Sequence, residues 1–297
     1  MSASLVILAY HHVDWRFRRH LPILRACGKL VSVREGVEAL GRNASGRMLA
    51  VTFDDFYQEV HDYFCGQKVK LKLPTTAFVT TREAELGTAF WWDEVELIVA
   101  QAAASSYCWN NRTYALSTQE ERANLTESIR AAWFSLPPSA IQNSLRLLRK
   151  SLGWYTADLP HELRPARWPQ VAALSSLGVE IGSHTVTHPY LTSLSDLEAR
   201  RELEQSKHEL ERVLGAPIAG IAYPFGGTGS YDDRIAGLTR DCGYQYAVTT
   251  TREINRPESD RFKLARSCVR MDESLWRVFL KAAAIDKLLL RFVSLQR

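Results

Sequence analysis

The segment MLAVTFDDF, residues 48–56, ends an apolar run with two adjacent carboxylates, Asp54 and Asp55. Neighbouring anions repel, and a strand that buries its apolar face has no folding need for either. The pair would serve as a cap for a following helix, whose N-terminus favours anions. It would equally serve a reaction that needs two carboxylates, provided the chain turns at the strand end so that both meet one site. A second segment, VEIGSHTVTHPYL, places His184 and His188 four residues apart. Pro189 biases His188 toward extended backbone, so the spacing reads as a loop leaving a strand rather than one helix face. Two imidazoles joined by a carboxylate from elsewhere make a catalytic zinc set, with three protein ligands and one position open to water. Two further segments end in the same manner. AYPFGG, residues 222–227, combines a fixed-φ proline with two glycines that permit a sharp turn, and AYHHVD puts His11 and His12 at the end of the first apolar run.

These residues need elements to bring them together. Apolar or β-branched runs recur at 5–12, 48–55, 75–81, 178–184, 218–226, 244–250 and 262–269, the pattern of strands buried on both faces. Helical stretches lie between several of them. The clearest is SLSDLEARRELEQSKHELERVLG, with Ser193 or Ser195 as its cap and Gly215 as its stop. The alternation predicts a parallel α/β sheet, and in an α/β barrel the C-terminal strand ends gather the chemistry. Residues 91–165 break the rhythm with mostly helical sequence and read as an insertion in a single domain spanning 1–297. Trp91, Trp92 and Asp93, at its start, are candidates for stacking on and hydrogen-bonding a sugar, or for packing.

In order, TFDD, SHTVTHP and AYPFG resemble the polysaccharide deacetylase family, the NodB-homology fold of carbohydrate esterase family 4. The resemblance implies a distorted (β/α)7 barrel that removes acetyl groups from N-acetylated sugars with one divalent metal, zinc first, with Co2+, Ni2+, Fe2+ or Mn2+ as alternatives. Matched motif positions make Asp55, His184 and His188 the metal ligands and Asp54 the catalytic base. The turn Tyr223, Pro224, Phe225 and Gly226 would face the substrate or its oxyanion. Family members usually carry Gly after the paired aspartates, where this chain has Phe56, expected to narrow or reshape the pocket floor. Many take their general acid from a late Leu-x-His motif, but this chain has no histidine after His208. A subset resembling the exopolysaccharide deacetylases begins with Tyr-His on the first strand, which makes His11 the candidate acid and leaves His12 as its rival. The third motif of many relatives supplies an orienting arginine where this chain has Ala222, and Arg266 is the candidate for that task. An O-deacetylase, a deformylase and an inactive glycan-binding protein remain alternative readings.

The chain has 297 residues, 46% of them hydrophobic, which is enough for a large core. A formal charge of +4 without a Lys/Arg run gives no support to nucleic-acid binding, so the expected partner is the N-acetylated sugar, glycan or precursor. Five scattered cysteines without a CxxC pair point to reduced core thiols. MSASLVILAYHHVD lacks the features of a signal peptide, giving a cytoplasmic expectation, and a nucleotide-linked or lipid-linked sugar then becomes the expected substrate. Residues 273–297 form an expected amphipathic helix whose basic face, with Arg277, Lys281, Lys287 and Arg291, suits peripheral contact with the inner membrane surface or packing against the barrel.

Overall fold

The structure is a computed structural model that describes residues 3–42, 44–66, 73–154 and 159–285. Its main sheet contains β1 (Ser4–Tyr10), β2 (Lys29–Val31), β3 (Arg47–Phe53) and β4 (Thr75–Val79). After an antiparallel hairpin, β5 (Ser106–Trp109) and β6 (Arg112–Ala115), it resumes with β7 (Glu180–Ser183), β8 (Gly220–Ala222), β9 (Tyr246–Val248) and β10 (Ser267–Cys268). All main-sheet pairings are parallel, in the order β10-β1-β3-β4-β7-β8-β9. The seven predicted runs supply these seven strands, each shorter than its apolar run. β2 was not anticipated, because three residues are too few to show a period. It pairs with Met48 to Ala50 of β3, and β4 takes over along the same edge from Val51.

Period-two alternation divides the strand side chains between two apolar layers. Val6, Leu8, Tyr10, Leu49, Val51 and Phe53 pack outward with the surrounding helices. Leu5, Ile7, Met48, Ala50, Phe78, Tyr246 and Val248 fill the interior. Gly220 is required there, since a Cβ would sit 2.0 Å from the Tyr246 ring. The segment entering β10 closes the barrel. Leu264 exchanges backbone hydrogen bonds with Ala247 and Thr249, and Val269 N–H then donates to Ala9 C=O at 2.8 Å. Asn255, 2% exposed, secures the seam by donating to the Leu5 and Ala265 carbonyls while accepting from Ala265 N–H. This is a distorted (β/α)7 barrel, its distortion concentrated where β10 retains only two residues of ladder.

Between β4 and β7 lie helices Trp91–Gln101, Gln119–Trp133 and Pro138–Leu152, together with the β5–β6 hairpin. The hairpin adds to the predicted helical content, and its Asn110 and Asn111 take the positive φ that a tight hairpin turn demands. This region has its own apolar cluster, running from Trp91 to Leu152. The chain rejoins the barrel beside the aspartate loop, where Gln58 N–H donates to Arg164 C=O and Ala166 N–H to Phe56 C=O. Helix Asp196–Leu214 has Ser195 as cap, with Glu198 completing a capping box, and Gly215 as its left-handed stop. Cys108 is exposed rather than a core thiol, while the other four cysteines are partly buried. At the C-terminal end, helix Leu275–Ala282 packs on helix Phe17–Cys27, with Val278 and Ala282 buried. Lys281 of the expected basic face is turned inward, donating to the Cys268 carbonyl at 2.6 Å and pairing with Glu273. Residues 286–297 of that expected helix lie outside the described residues, among which no helix is long and apolar enough to cross a membrane.

Candidate active site

β3 ends at Phe53, and the next residues depart from strand geometry: Asp55 and Phe56 have φ of 63° and 65°. Left-handed backbone at non-glycine residues costs about 1–3 kcal/mol each and persists only where the surroundings enforce it. Thr185 (68°), His188 (54°) and Phe225 (64°) share this conformation, so three loops at one edge of the barrel are strained alike. The Asp55 kink turns two adjacent carboxylates toward one site. Phe56 occupies a position suited to glycine, but its ring is 1% exposed in the outer core. Of the two expected effects, it does not narrow the cleft floor, which it leaves to other residues.

Arg266, at the entry to β10, is 1% exposed and grips Asp54 with both guanidinium arms, Nη1 to Oδ1 and Nη2 to Oδ2, each at 2.7 Å. Its Nε donates to the Thr249 carbonyl and its Nη1 also to Thr52 Oγ1, which fixes the fork. Burial works to raise the Asp54 carboxyl, but the Arg266 charge, followed by His184, outweighs it and holds Asp54 well below the usual carboxylate range. Asp55 has the opposite environment. Burial, then the charges of Asp54, Asp93 and Glu83, push it well above the ordinary range, and buried Oδ1 has no hydrogen-bond partner.

His184 Nε2 and His188 Nε2 lie 3.6 and 3.5 Å from that orphaned Oδ1. These separations are long for hydrogen bonds. They suit donors sharing one ion at about 2.0–2.2 Å each. His184 Nδ1 donates to the Ala222 carbonyl at 2.8 Å, which leaves Nε2 unprotonated and aimed at Asp55. Burial lowers both imidazoles, His184 to about 4, so both are neutral and available as ligands at pH 7. Asp55, His184 and His188 are the one cluster among the described residues whose ligand atoms all lie within 4.8 Å of one another. The donor set, two neutral imidazoles and one carboxylate, fits zinc or a similar divalent ion.

The cluster opens into a cleft of about 880 Å³ lined by His11, His12, Asp55, Tyr57, Trp92 and Phe225, among others. His11 Nε2 lies 4.0 Å from Asp55 Oδ2, and its side chain keeps 44% of its surface accessible. His12 lines the cleft too: it bonds Glu59 Oε1 at 2.8 Å and stacks on Tyr57 at 4.5 Å. The Tyr223-to-Gly226 turn contributes less than expected. Tyr223 is wholly buried, its hydroxyl donating to Phe262 C=O and its N–H to Val248 C=O, while Gly226 N–H is spent on Pro224 C=O. Gly226 is needed at φ 64°, where a Cβ would meet Thr250 N at 2.9 Å. Phe225 is the member of the turn that reaches the site, its ring 4.7 Å from His188.

Trp91 packs into the insertion's core, whereas Trp92 stands 4.6 Å from the His188 ring. Asp93, pushed up to about 6 chiefly by burial and opposed by the Tyr57 hydrogen bond, accepts from Tyr57 Oη at 2.7 Å. Tyr57 and Phe134 are wall residues that sequence reasoning missed. Tyr57 follows the aspartates closely enough to have been suspected, while nothing in AAWFSL marks Phe134.

The polysaccharide deacetylase family model matches residues 126–247, a span that holds both histidines and the Tyr223 turn but not the aspartates. No curated protein matches the chain. Solved structures share the fold: a Streptococcus pyogenes deacetylase, PplD, in complex with acetate (16% identity, 95% of this chain and 98% of that one, TM-score 0.57). IcaB from Ammonifex degensii is similar (18%, 95% and 97%, 0.58), as is a de-N-acetylase from Aggregatibacter actinomycetemcomitans (14%, 93% and 100%, 0.58). With that match set in this fold, and with TFDD, SHTVTHP and AYPFG at its strand ends, the chain is similar to the polysaccharide deacetylase family over the matched span.

Proposed function

We propose that this protein is a metal-dependent hydrolase that removes the acetyl group from an N-acetylated sugar of a cell-surface glycan or of its precursor. The observation that carries the reading is the pairing of two unlike aspartates. One is locked as an anion by Arg266, and the other is buried without a cation beside two neutral imidazoles. Asp55, His184 and His188 would hold the metal, which when bound supplies Lewis-acid polarisation of the acetyl carbonyl and lowers the pKa of water.

The chain's own groups supply the rest. Asp54, oriented by Arg266, accepts the proton of the attacking water. Pro224 has no N–H, and Tyr223 and Gly226 spend theirs on Val248 C=O and Pro224 C=O, so the Phe225 N–H is the turn's donor toward the developing oxyanion. His11 delivers a proton to the departing amine, without which an amide nitrogen leaves poorly. Trp92, Tyr57 and Phe225 form aromatic walls against which a sugar ring can lie, and Asp93 stands among them to receive a hydroxyl.

The test is acetate release by metal-reconstituted protein from N-acetylated sugars presented free, nucleotide-linked, lipid-linked and as polymer. Turnover of at least one, lost with chelator, is the expected result. Release only from O-acetyl or N-formyl counterparts would reassign the bond that is cut, and no turnover on any of them would sink the reading.

A further inference from the structure

The loop bearing His184 and His188 carries strain at Thr185 and His188 and needs something to hold it. One side is braced by the chain after β4: Thr81 N–H donates to Thr185 C=O and Arg82 N–H to Val186 C=O. The other side faces helix Asp196–Leu214. There Glu202 Oε2 accepts from two successive backbone N–H groups, Val186 at 2.8 Å and Thr187 at 2.9 Å, while Oε1 accepts from Thr187 Oγ1 at 2.6 Å. Successive N–H groups aimed at one oxygen form an anion-binding concavity, filled here by the protein's own carboxylate. One turn further along the helix, Ser206 Oγ meets Ser183 Oγ at 2.8 Å, and Ser183 Oγ accepts from Thr185 N–H. Glu202 and Ser206 thus hold the middle and the start of the loop from a single helix face.

We infer that Glu202 is a positioning residue for the metal site, clamping the 184–188 loop so that both imidazoles present Nε2 to Asp55. The inference rests on the proposed metal site, and it adds a residue that no motif contains. Charge-assisted bonds to a carboxylate are about twice as strong as neutral ones, so three of them on one loop suffice to hold left-handed backbone that would otherwise relax. Once relaxed, the loop would still fold back on the barrel but would spread the two ligands. The consequence falls on metal affinity more than on the fold.

The experiment measures Co2+ affinity by chelator competition, with the visible Co2+ spectrum and the melting temperature of the metal-free protein, for wild type, Glu202→Ala and Glu202→Gln. Glu202→Ala is expected to bind about 10- to 100-fold more weakly, the usual cost of losing an outer partner of a metal ligand, and to show an altered Co2+ spectrum. Glu202→Gln should restore binding, because the amide oxygen can accept both N–H groups while its NH2 donates to Thr187 Oγ1. Affinity within two-fold of wild type for Glu202→Ala would overturn the inference, as would a Glu202→Gln protein as weak as the alanine variant. If Glu202→Ala does not fold, Thr187→Val removes one clamp bond alone, and unchanged affinity and spectrum there would overturn it equally. Failure of the underlying site looks different: wild type would bind no Co2+, or His184→Ala and His188→Ala would bind it as wild type does.

Discussion

Asp54 and Asp55 are the same residue one bond apart, yet Asp54 has a permanent cation in Arg266 and Asp55 has none of its own. In the proposed mechanism that asymmetry separates a base from a ligand, and it makes the two roles separately testable. Asp54→Asn keeps the shape and removes the proton acceptor, so turnover should fall by about 10²- to 10⁴-fold or more while elemental analysis still finds one metal per chain. Near-normal activity would remove Asp54 from the mechanism. His11 is tested by its leaving group. His11→Ala should lower kcat sharply on an N-acetyl sugar and far less on an activated aryl acetate, whose leaving group departs without a proton. Equal losses on the two substrates would dismiss it as the acid, and a larger loss for His12→Ala would pass the role to the residue that stacks on Tyr57.

At the scale of elements, the strands were legible because burial on both faces writes near-continuous apolar runs, and because each run that matters ends in residues a core has no use for. Arg266 was legible only as a position near the last strand end, since nothing in KLARSCV says that its fork closes on Asp54, 212 residues away in sequence. Glu202 was illegible, one of many charges on a polar helix, because a loop it clamps is visible only once both are folded. The φ values at Asp55, Phe56 and His188 were hidden too, since no side chain there advertises left-handed backbone. Two predictions belong to these elements. Arg266→Met should cost about 3–5 kcal/mol in a denaturant melt, because it leaves Asp54 buried and uncompensated; a cost below about 1 kcal/mol would mean that the pair contributes little. The other concerns His20, 1% exposed on helix Phe17–Cys27, where it bonds Tyr10 Oη at 3.2 Å. Burial lowers its pKa below the ordinary value of 6.5. Below that pH the unfolded chain takes up a proton the native one refuses, so the stability His20 contributes is full above pH 6.5 and is lost as pH falls. His20→Gln should therefore lose less melting temperature than wild type between pH 7.5 and 5.5; an identical loss would show that the imidazole is not strained toward neutrality.

The whole molecule couples two apolar bodies through the site. Trp92 belongs to the insertion and Phe225 to a barrel turn, both rings rest against His188, and both also pack on the insertion's core. A change at the proposed metal site is therefore felt on both sides of the cleft. Without a cation, the native state holds Asp55 where burial and three neighbouring carboxylates oppose its ionisation. A divalent ion removes that penalty in the folded state alone, so it must stabilise folding by mass action, by about 2.7 kcal/mol at a free concentration one hundred times Kd. In a chain of this size that is a rise of several degrees in melting temperature. We expect Zn2+ or Co2+ to raise the melting temperature of chelator-treated protein, with tryptophan fluorescence and far-ultraviolet circular dichroism shifting together. His184→Ala should abolish the response in both signals. An equal rise in that variant would mean that the ion stabilises from somewhere else, and separate transitions in the two signals would mean that the molecule does not melt as one unit, despite the aromatic contacts that join the insertion to His188.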